Sequence, residues 1–260
     1  VQRLSTSTRR RTWLRSGAVV ATLTLLSGAV VSLAGAAPAG AETPGTWGIG
    51  FFSHVDGTWH LRNDATTPGG SDYAFGFGPA NGLPVTGDWN GDGSTGIGYF
   101  NPTDSTLHLR NDATTTGSSS YAYGFGNSNI VPVSGSWTGA AKTGIGYFDK
   151  TDGTWHLRND ATTSGGSDYA FGFGNGNDIP VTGDWNGDGK TGIGVYDPSD
   201  GTLHLRNDAT TSGASDYVYS FGVSNMALVS GNFDGIGGAG IGYYNKSDGT
   251  LHLRNDARTA

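Results

Sequence analysis

Cysteine is absent from this 260-residue chain, which excludes a disulfide framework, a thiolate metal site and a cysteine nucleophile. Positive charge is scarce as well. There are 15 Lys plus Arg against 22 Asp plus Glu, and five of the fifteen (Arg3, Arg9, Arg10, Arg11, Arg15) precede position 16 while the first acidic residue is Glu42. The rest of the chain is therefore acidic, which excludes a phosphate-binding face, because nucleic-acid affinity comes from Lys and Arg displacing counterions. That balance suits cation binding and solubility outside a cell. Helical periodicity is also missing: nothing from Glu42 to Ala260 keeps an apolar 3.6-residue period. No GxSxG elbow and no HExxH motif occurs. The GDGKT run from Gly187 to Thr191 fails as a phosphate loop, since Gly183 and Gly189 are separated by five residues where four are needed and no helix follows.

Long apolar runs are confined to one place, 17–36. Basic residues precede it and Ala39-Gly40-Ala41 follows it, so 1–41 reads as a secretory signal peptide and the remainder as an extracellular protein with no membrane span after cleavage. An uncleaved anchor is the alternative, because the run is just long enough to cross a bilayer. Val1 fits a GTG start codon read literally, as in a bacterial gene. The segment Arg10-Arg11-Thr12-Trp13-Leu14 resembles a twin-arginine export signal, which implies export in the folded state.

What is abundant is glycine, 42 of the 219 residues from Glu42 onward, about three times the usual ~7%. The glycines fall in a repeat. LRND begins at Leu61, Leu109, Leu157, Leu205 and Leu253, and Gly-Ile-Gly at Gly48, Gly96, Gly144, Gly192 and Gly240, always 48 residues apart. A period of this length marks one supersecondary unit copied so that neighbours bury each other. Turn residues and period-2 patterning divide the unit into four strands. In one copy these are A, Pro84 to Trp89; B, Gly96 to Phe100; C, Thr106 to Asn111; and D, Tyr121 to Phe125. Glycine at alternate B positions leaves a flat face that a bulky residue of a neighbouring sheet can approach. D carries three aromatics on one face and small residues on the other.

Four-stranded units of this size, small on one face and aromatic on the other, predict an all-β fold, a β-propeller with one blade per repeat. B and C occur five times but A and D only four, so the expectation is five blades with an incomplete seam. The alternatives are four closed blades with a spare B–C hairpin, or homo-oligomers in which chains complete one another through the open edges.

The run Gly183-Asp184-Trp185-Asn186-Gly187-Asp188-Gly189, together with Phe77-Gly78, Phe125-Gly126, Phe173-Gly174 and Phe221-Gly222, resembles the FG-GAP and VCBS-type repeats. That resemblance covers nearly all of the chain after 41. It implies an extracellular propeller like those of integrin α-chain heads, whose A–B loops often bind calcium. The residues support such chemistry independently: Asp-x-Asn-x-Asp-Gly offers three oxygens at alternate positions and a glycine for the sharp turn. Two loops qualify, Asp88, Asn90, Asp92 and Asp184, Asn186, Asp188, although the family's acidic ninth position is here Gly96 or Gly192. The other reading is that these Asp and Asn cap their own turns.

For a ligand, the repeat suggests a shallow site copied between blades. Arg62 and Arg158, with the Asn and Asp that follow them in the repeat and the neighbouring His60 and His156, would bond polar groups such as sugar hydroxyls while Trp59, Trp155, Tyr73 or Tyr169 stacks on an apolar ring face. The bland reading gives the His and Arg a structural role, against the adjacent blade and the Asp of the RND turn. Copies without one asymmetric polar cluster favour multivalent binding over catalysis. Extracellular carbohydrate is thus the expected ligand, a protein surface the alternative, and a glycan-directed hydrolase using loop carboxylates the less favoured third.

Overall fold

The 48-residue repeat does fold into four-stranded sheets, because each copy alternates buried and half-exposed residues between Gly-, Asp- and Asn-rich turns. The structure, a computed structural model, describes residues 18–20, 33–34, 48–63 and 69–259. Two short strands come first, β1 (Ala18–Val20) and β2 (Leu33–Ala34). Blade one comprises β3 (Gly48–Ser53), β4 (Thr58–Arg62) and β5 (Tyr73–Gly76); blade two β6 (Leu83–Gly87), β7 (Gly96–Asn101), β8 (Thr106–Arg110) and β9 (Tyr121–Gly124). Blade three comprises β10 (Ile130–Gly135), β11 (Gly144–Asp149), β12 (Thr154–Arg158) and β13 (Tyr169–Gly172). Blade four comprises β14 (Ile179–Gly183), β15 (Gly192–Asp197), β16 (Thr202–Arg206) and β17 (Tyr217–Ser220), and blade five β18 (Met226–Gly231), β19 (Gly240–Asn245) and β20 (Thr250–Arg254). Within each blade consecutive strands pair antiparallel, and the five sheets form a ring, a five-bladed β-propeller.

The ring is tied together at its centre by hydroxyls of the inner strands. Ser134 donates to the Thr86 carbonyl at 2.7 Å, Thr182 to the Ser134 carbonyl at 2.9 Å and Ser230 to the Thr182 carbonyl at 2.6 Å, so one bond recurs from blade to blade. These side chains are fully buried, where an unmade hydrogen bond would cost about 1–3 kcal/mol. The A–B loops add a second tie: the N–H of Thr143 donates to the Asp88 carbonyl, and that of Thr191 to the Ser136 carbonyl.

The cores lie between blades. One cluster joins Trp89, Phe100, Leu107 and Leu109 of blade two to Ile130 and Ile145 of blade three. The glycine face of the B strand is filled from within its own blade, contrary to the expectation of a neighbouring sheet. A Cβ on Gly96 would lie 2.9 Å from the Trp89 ring, and one on Gly194 2.5 Å from Leu205 Cδ2. D-strand aromatics make the contact with the next blade: the Tyr123 hydroxyl donates to the Ala161 carbonyl at 2.8 Å and that of Tyr219 to the Ala257 carbonyl at 2.6 Å. Burial pushes both phenols up to about 12.

The seam is where the expectation needed most detail. Blade one has no inner strand from the repeat, and β1 stands in that place, parallel to β3 and near both β6 and β18. Among the described residues blade five has no D strand, and β2 pairs parallel with its inner strand. The rest of the expected leader, including the arginine pair and the Ala39-Gly40-Ala41 site, lies outside the described residues. No helix among the described residues is long and apolar enough to cross a membrane.

Candidate functional site

The A–B turn of blade two begins with Asp88, which is 2% exposed and directly follows the inner strand. Its carboxylate accepts the N–H groups of Gly91, Asp92 and Gly93 at 2.7, 3.1 and 2.8 Å. Asp184 holds the N–H groups of Gly187, Asp188 and Gly189 in the same way. Burial pushes both carboxyls above the usual range, against these hydrogen bonds. The Asn90 amide donates to Asp92 at 2.9 Å, and Asn186 repeats that bond to Asp188 at 3.2 Å. Each loop gathers its three expected oxygens on one turn, but the first Asp of each already serves three main-chain donors. The donor set therefore fits a hard cation only in part, since calcium takes six to eight oxygens. Among the described residues no group of three or more His, Asp or Glu is placed to hold a metal.

The His and Arg of the C strands pack within their own blade and against its neighbour. His60 stacks on Phe51 at 4.4 Å and His156 on Tyr147 at 4.6 Å, while their Nδ1 atoms lie 3.5 and 3.4 Å from the Ser71 and Ser167 hydroxyls. Arg158 donates to the Thr163 hydroxyl at 2.7 Å and the Ser164 carbonyl at 3.2 Å. Arg62 lies against Gly69 in the corresponding loop. The best-buried arginines rivet blades together: Arg110 sits 5.5 Å above Phe75 and Arg206 5.8 Å above Phe171 of the preceding blade. Each pairs with its own RND carboxylate, Arg110 with Asp112 at 3.1 Å and Arg206 with Asp208 at 3.2 Å.

The expected stacking role of Trp59 and Trp155 is corrected by their placement. Both are fully buried, and their indole N–H groups donate to the Phe77 and Phe173 carbonyls at 2.8 Å. They present no ring face to a ligand. Tyr73 and Tyr169 are half-buried at the starts of β5 and β13.

Tyr169 does reach a cleft. It opens between blades three and four with a volume of about 500 Å³. Asp188 and Lys190 border it from the A–B loop, and Asn207, Asp208 and Thr210 from the loop after β16. Asn207 has a buried side-chain oxygen with no partner, as has Asn111 at the same place in blade two. Tyr169 and the largely buried Trp137, one cation and two carboxylates thus meet in one concavity, a mixture suited to a polar ligand with an apolar face. Asn and Asp of the repeated RND turn were expected to bond a ligand, but Asn207, Asp208 and Thr210 of this blade were not singled out from the sequence. No protein-family profile matches the sequence, and no curated protein is significantly similar to it.

Acid should loosen these loops. Burial works to raise Asp112 and Asp160, but hydrogen bonds from Thr115 and Thr114 to the first, and from Thr163 and Thr162 to the second, outweigh it and hold both at about 2. Carboxyls depressed by folding stabilise it fully above their unfolded value of about 3.9 and lose that contribution as pH falls through about 2. The melting temperature is expected to drop between pH 4 and 2. The double variant Asp112→Asn, Asp160→Asn should flatten that drop in a pH series of thermal melts.

Proposed function

We propose that the protein is a secreted, non-enzymatic binding propeller that holds carbohydrate at clefts between its blades, several to a chain. The observation that carries this reading is the cleft between blades three and four, whose Tyr169, Asn207 and Asp208 recur as Tyr121, Asn159 and Asp160 between blades two and three and as Tyr73, Asn111 and Asp112 between blades one and two. A sugar would lay its apolar face on the tyrosine and bond its hydroxyls to the Asn and Asp. The A–B loops differ between copies, with Asp188 and Lys190 matched by Ala140 and Lys142, so the sites would share a core and differ at one rim. A glycan array compares wild type with the double variant Tyr169→Ala, Asp208→Ala. Binding to one sugar class that weakens by about threefold to tenfold without vanishing is expected, since other clefts remain. Equal binding by the variant would take the site out of account.

A hydrolase reading needs a protonated acid in the cleft. Burial works to raise Asp208, but bonds from Thr210 and Thr211 and the charge of Arg206 outweigh it and hold its carboxyl below the usual range. That suits a hydrogen-bond acceptor better than a general acid. Structural calcium belongs to the proposal as well: Asp88, Asn90, Asp92 and Asp184, Asn186, Asp188 would hold it, supplying charge neutralisation in the two turns. Calcium should then raise the melting temperature by a few degrees over chelator, and Asp188→Ala should halve the gain. A melting curve identical in both would leave the loops as self-capped turns.

A further inference from the structure

One imidazole of the ring is held between two hydroxyls in a way that places its proton. His108, at the middle of β8, lies flat on Tyr99 with 4.7 Å between ring centres and 10° between planes. Its Nε2 is 3.0 Å from the Thr106 hydroxyl, and that hydroxyl is 2.5 Å from a carboxylate oxygen of Asp104. Hydrogen bonding from Thr106 holds the Asp104 carboxyl below the usual range, so Asp104 acts only as an acceptor. A threonine hydroxyl has one proton to give. Thr106 therefore donates to Asp104 and accepts from Nε2–H, which leaves Nδ1 of the neutral ring with its lone pair. The Ser119 hydroxyl lies 3.1 Å from that nitrogen. Both Ser119 and His108 are half-exposed, so a reagent in solution can meet them.

We propose that Ser119 is a nucleophile activated by His108, a covalent modification site at which the protein accepts an acyl group from an aryl ester. A hydroxyl within hydrogen-bond reach of a base that a third group orients is the arrangement such chemistry needs. As the Ser119 oxygen forms its bond to the acyl carbon, its proton passes to His108 Nδ1. The ester C–O bond breaks, and the departing phenol oxygen takes that proton from the imidazole. One transfer requires only the nucleophile and the base; rapid turnover would demand oxyanion donors as well. The other blades supply internal comparisons. Ser215 stands 3.4 Å from His204, with Thr202 and Asp200 arranged as Thr106 and Asp104 are, but Val195 replaces the tyrosine opposite that histidine. Ser71 and Ser167 lie 3.5 and 3.4 Å from His60 and His156. Ser119 makes the shortest contact of the four.

The probe is p-nitrophenyl acetate, added to the full chain at neutral pH. A burst of one equivalent of p-nitrophenolate is expected, with one acetyl group on the peptide that carries Ser119 in a digest read by mass spectrometry. Ser119→Ala should remove both and leave the melting transition unchanged. His108→Gln should slow the burst by about a hundredfold or more, the lower end of what a general base supplies. Thr106 and Asp104 are positioning residues. Thr106→Val should slow the burst by at least about tenfold, and Thr106→Ser, which keeps the hydroxyl, should restore it. Equal slowing by Val and Ser, or by neither, overturns the relay that places the proton. Acetyl groups found only on lysine amines overturn the proposal, as does equal labelling of Ser71, Ser119, Ser167 and Ser215. A burst undiminished in Ser119→Ala also overturns it, by making the imidazole itself the nucleophile.

Discussion

Trp155→Ala should lower stability by about 3–5 kcal/mol, the range for truncating a large aromatic in a packed core. Trp155 is fully buried, lies 5.5 Å edge-on from Phe148 and packs in one cluster with Trp137, Leu157 and Ile193 of the next blade. Its indole N–H is spent on the Phe173 carbonyl, so truncation leaves both a cavity and an unpaired acceptor. Because the cluster spans two blades, the loss should appear as a shift of one cooperative transition in urea, with no separate melting of blade three. Leu at this position is tolerated in blades two and four, where Leu107 and Leu203 are equally buried. Trp155→Leu should therefore cost less than half as much. Equal losses for Ala and Leu would show that volume is not what this site provides.

The second large effect is expected at Gly146 in β11. A Cβ there would lie 2.5 Å from Leu157 Cδ2 and 2.7 Å from the His156 carbonyl oxygen. The side chain can shift but the carbonyl belongs to the paired strand, so Gly146→Val forces the B and C strands apart and should cost about 3 kcal/mol or more, the upper end of overpacking penalties. Gly70, at whose Cβ position nothing lies within 4 Å, is the control: Gly70→Val should change the urea midpoint little. Similar losses at both positions would remove the packing explanation.

These two residues also show how far the sequence could be read. Strand positions were legible because glycine alternation and the Asp-Gly turns punctuate every copy. B was expected from Gly96 to Phe100 and runs Gly96–Asn101, and C was expected from Thr106 to Asn111 and runs Thr106–Arg110. The inner strand was expected to reach Trp89 but stops at Gly87, because Asp88 turns its carboxylate onto the loop's own amides. Period-2 patterning tells which residues share a face, not which face is covered. Trp59 and Trp155 could therefore be taken for ligand platforms although they are core. Their exchange with Leu at the same repeat position was the available signal, since a binding aromatic would not be replaced by an aliphatic residue. The cleft was less legible still: it is assembled from the A–B loops of two blades, the RND turn of one and the D strand of the other, and a 48-residue period says nothing about which loops meet across a blade interface. Parallel pairing of β1 and β2 with blades one and five has no signature in the repeat at all.

Counting the sites puts the proposed function to its hardest test. Isothermal titration of the folded chain with the sugar that binds best on the array should give more than one equivalent per chain, falling by about one when Tyr169 and Asp208 are both replaced by Ala. A single equivalent abolished by that double variant would mean one asymmetric site and contradict multivalent binding. The absence of heat with any sugar, on protein with an intact melting transition, would contradict carbohydrate as the ligand.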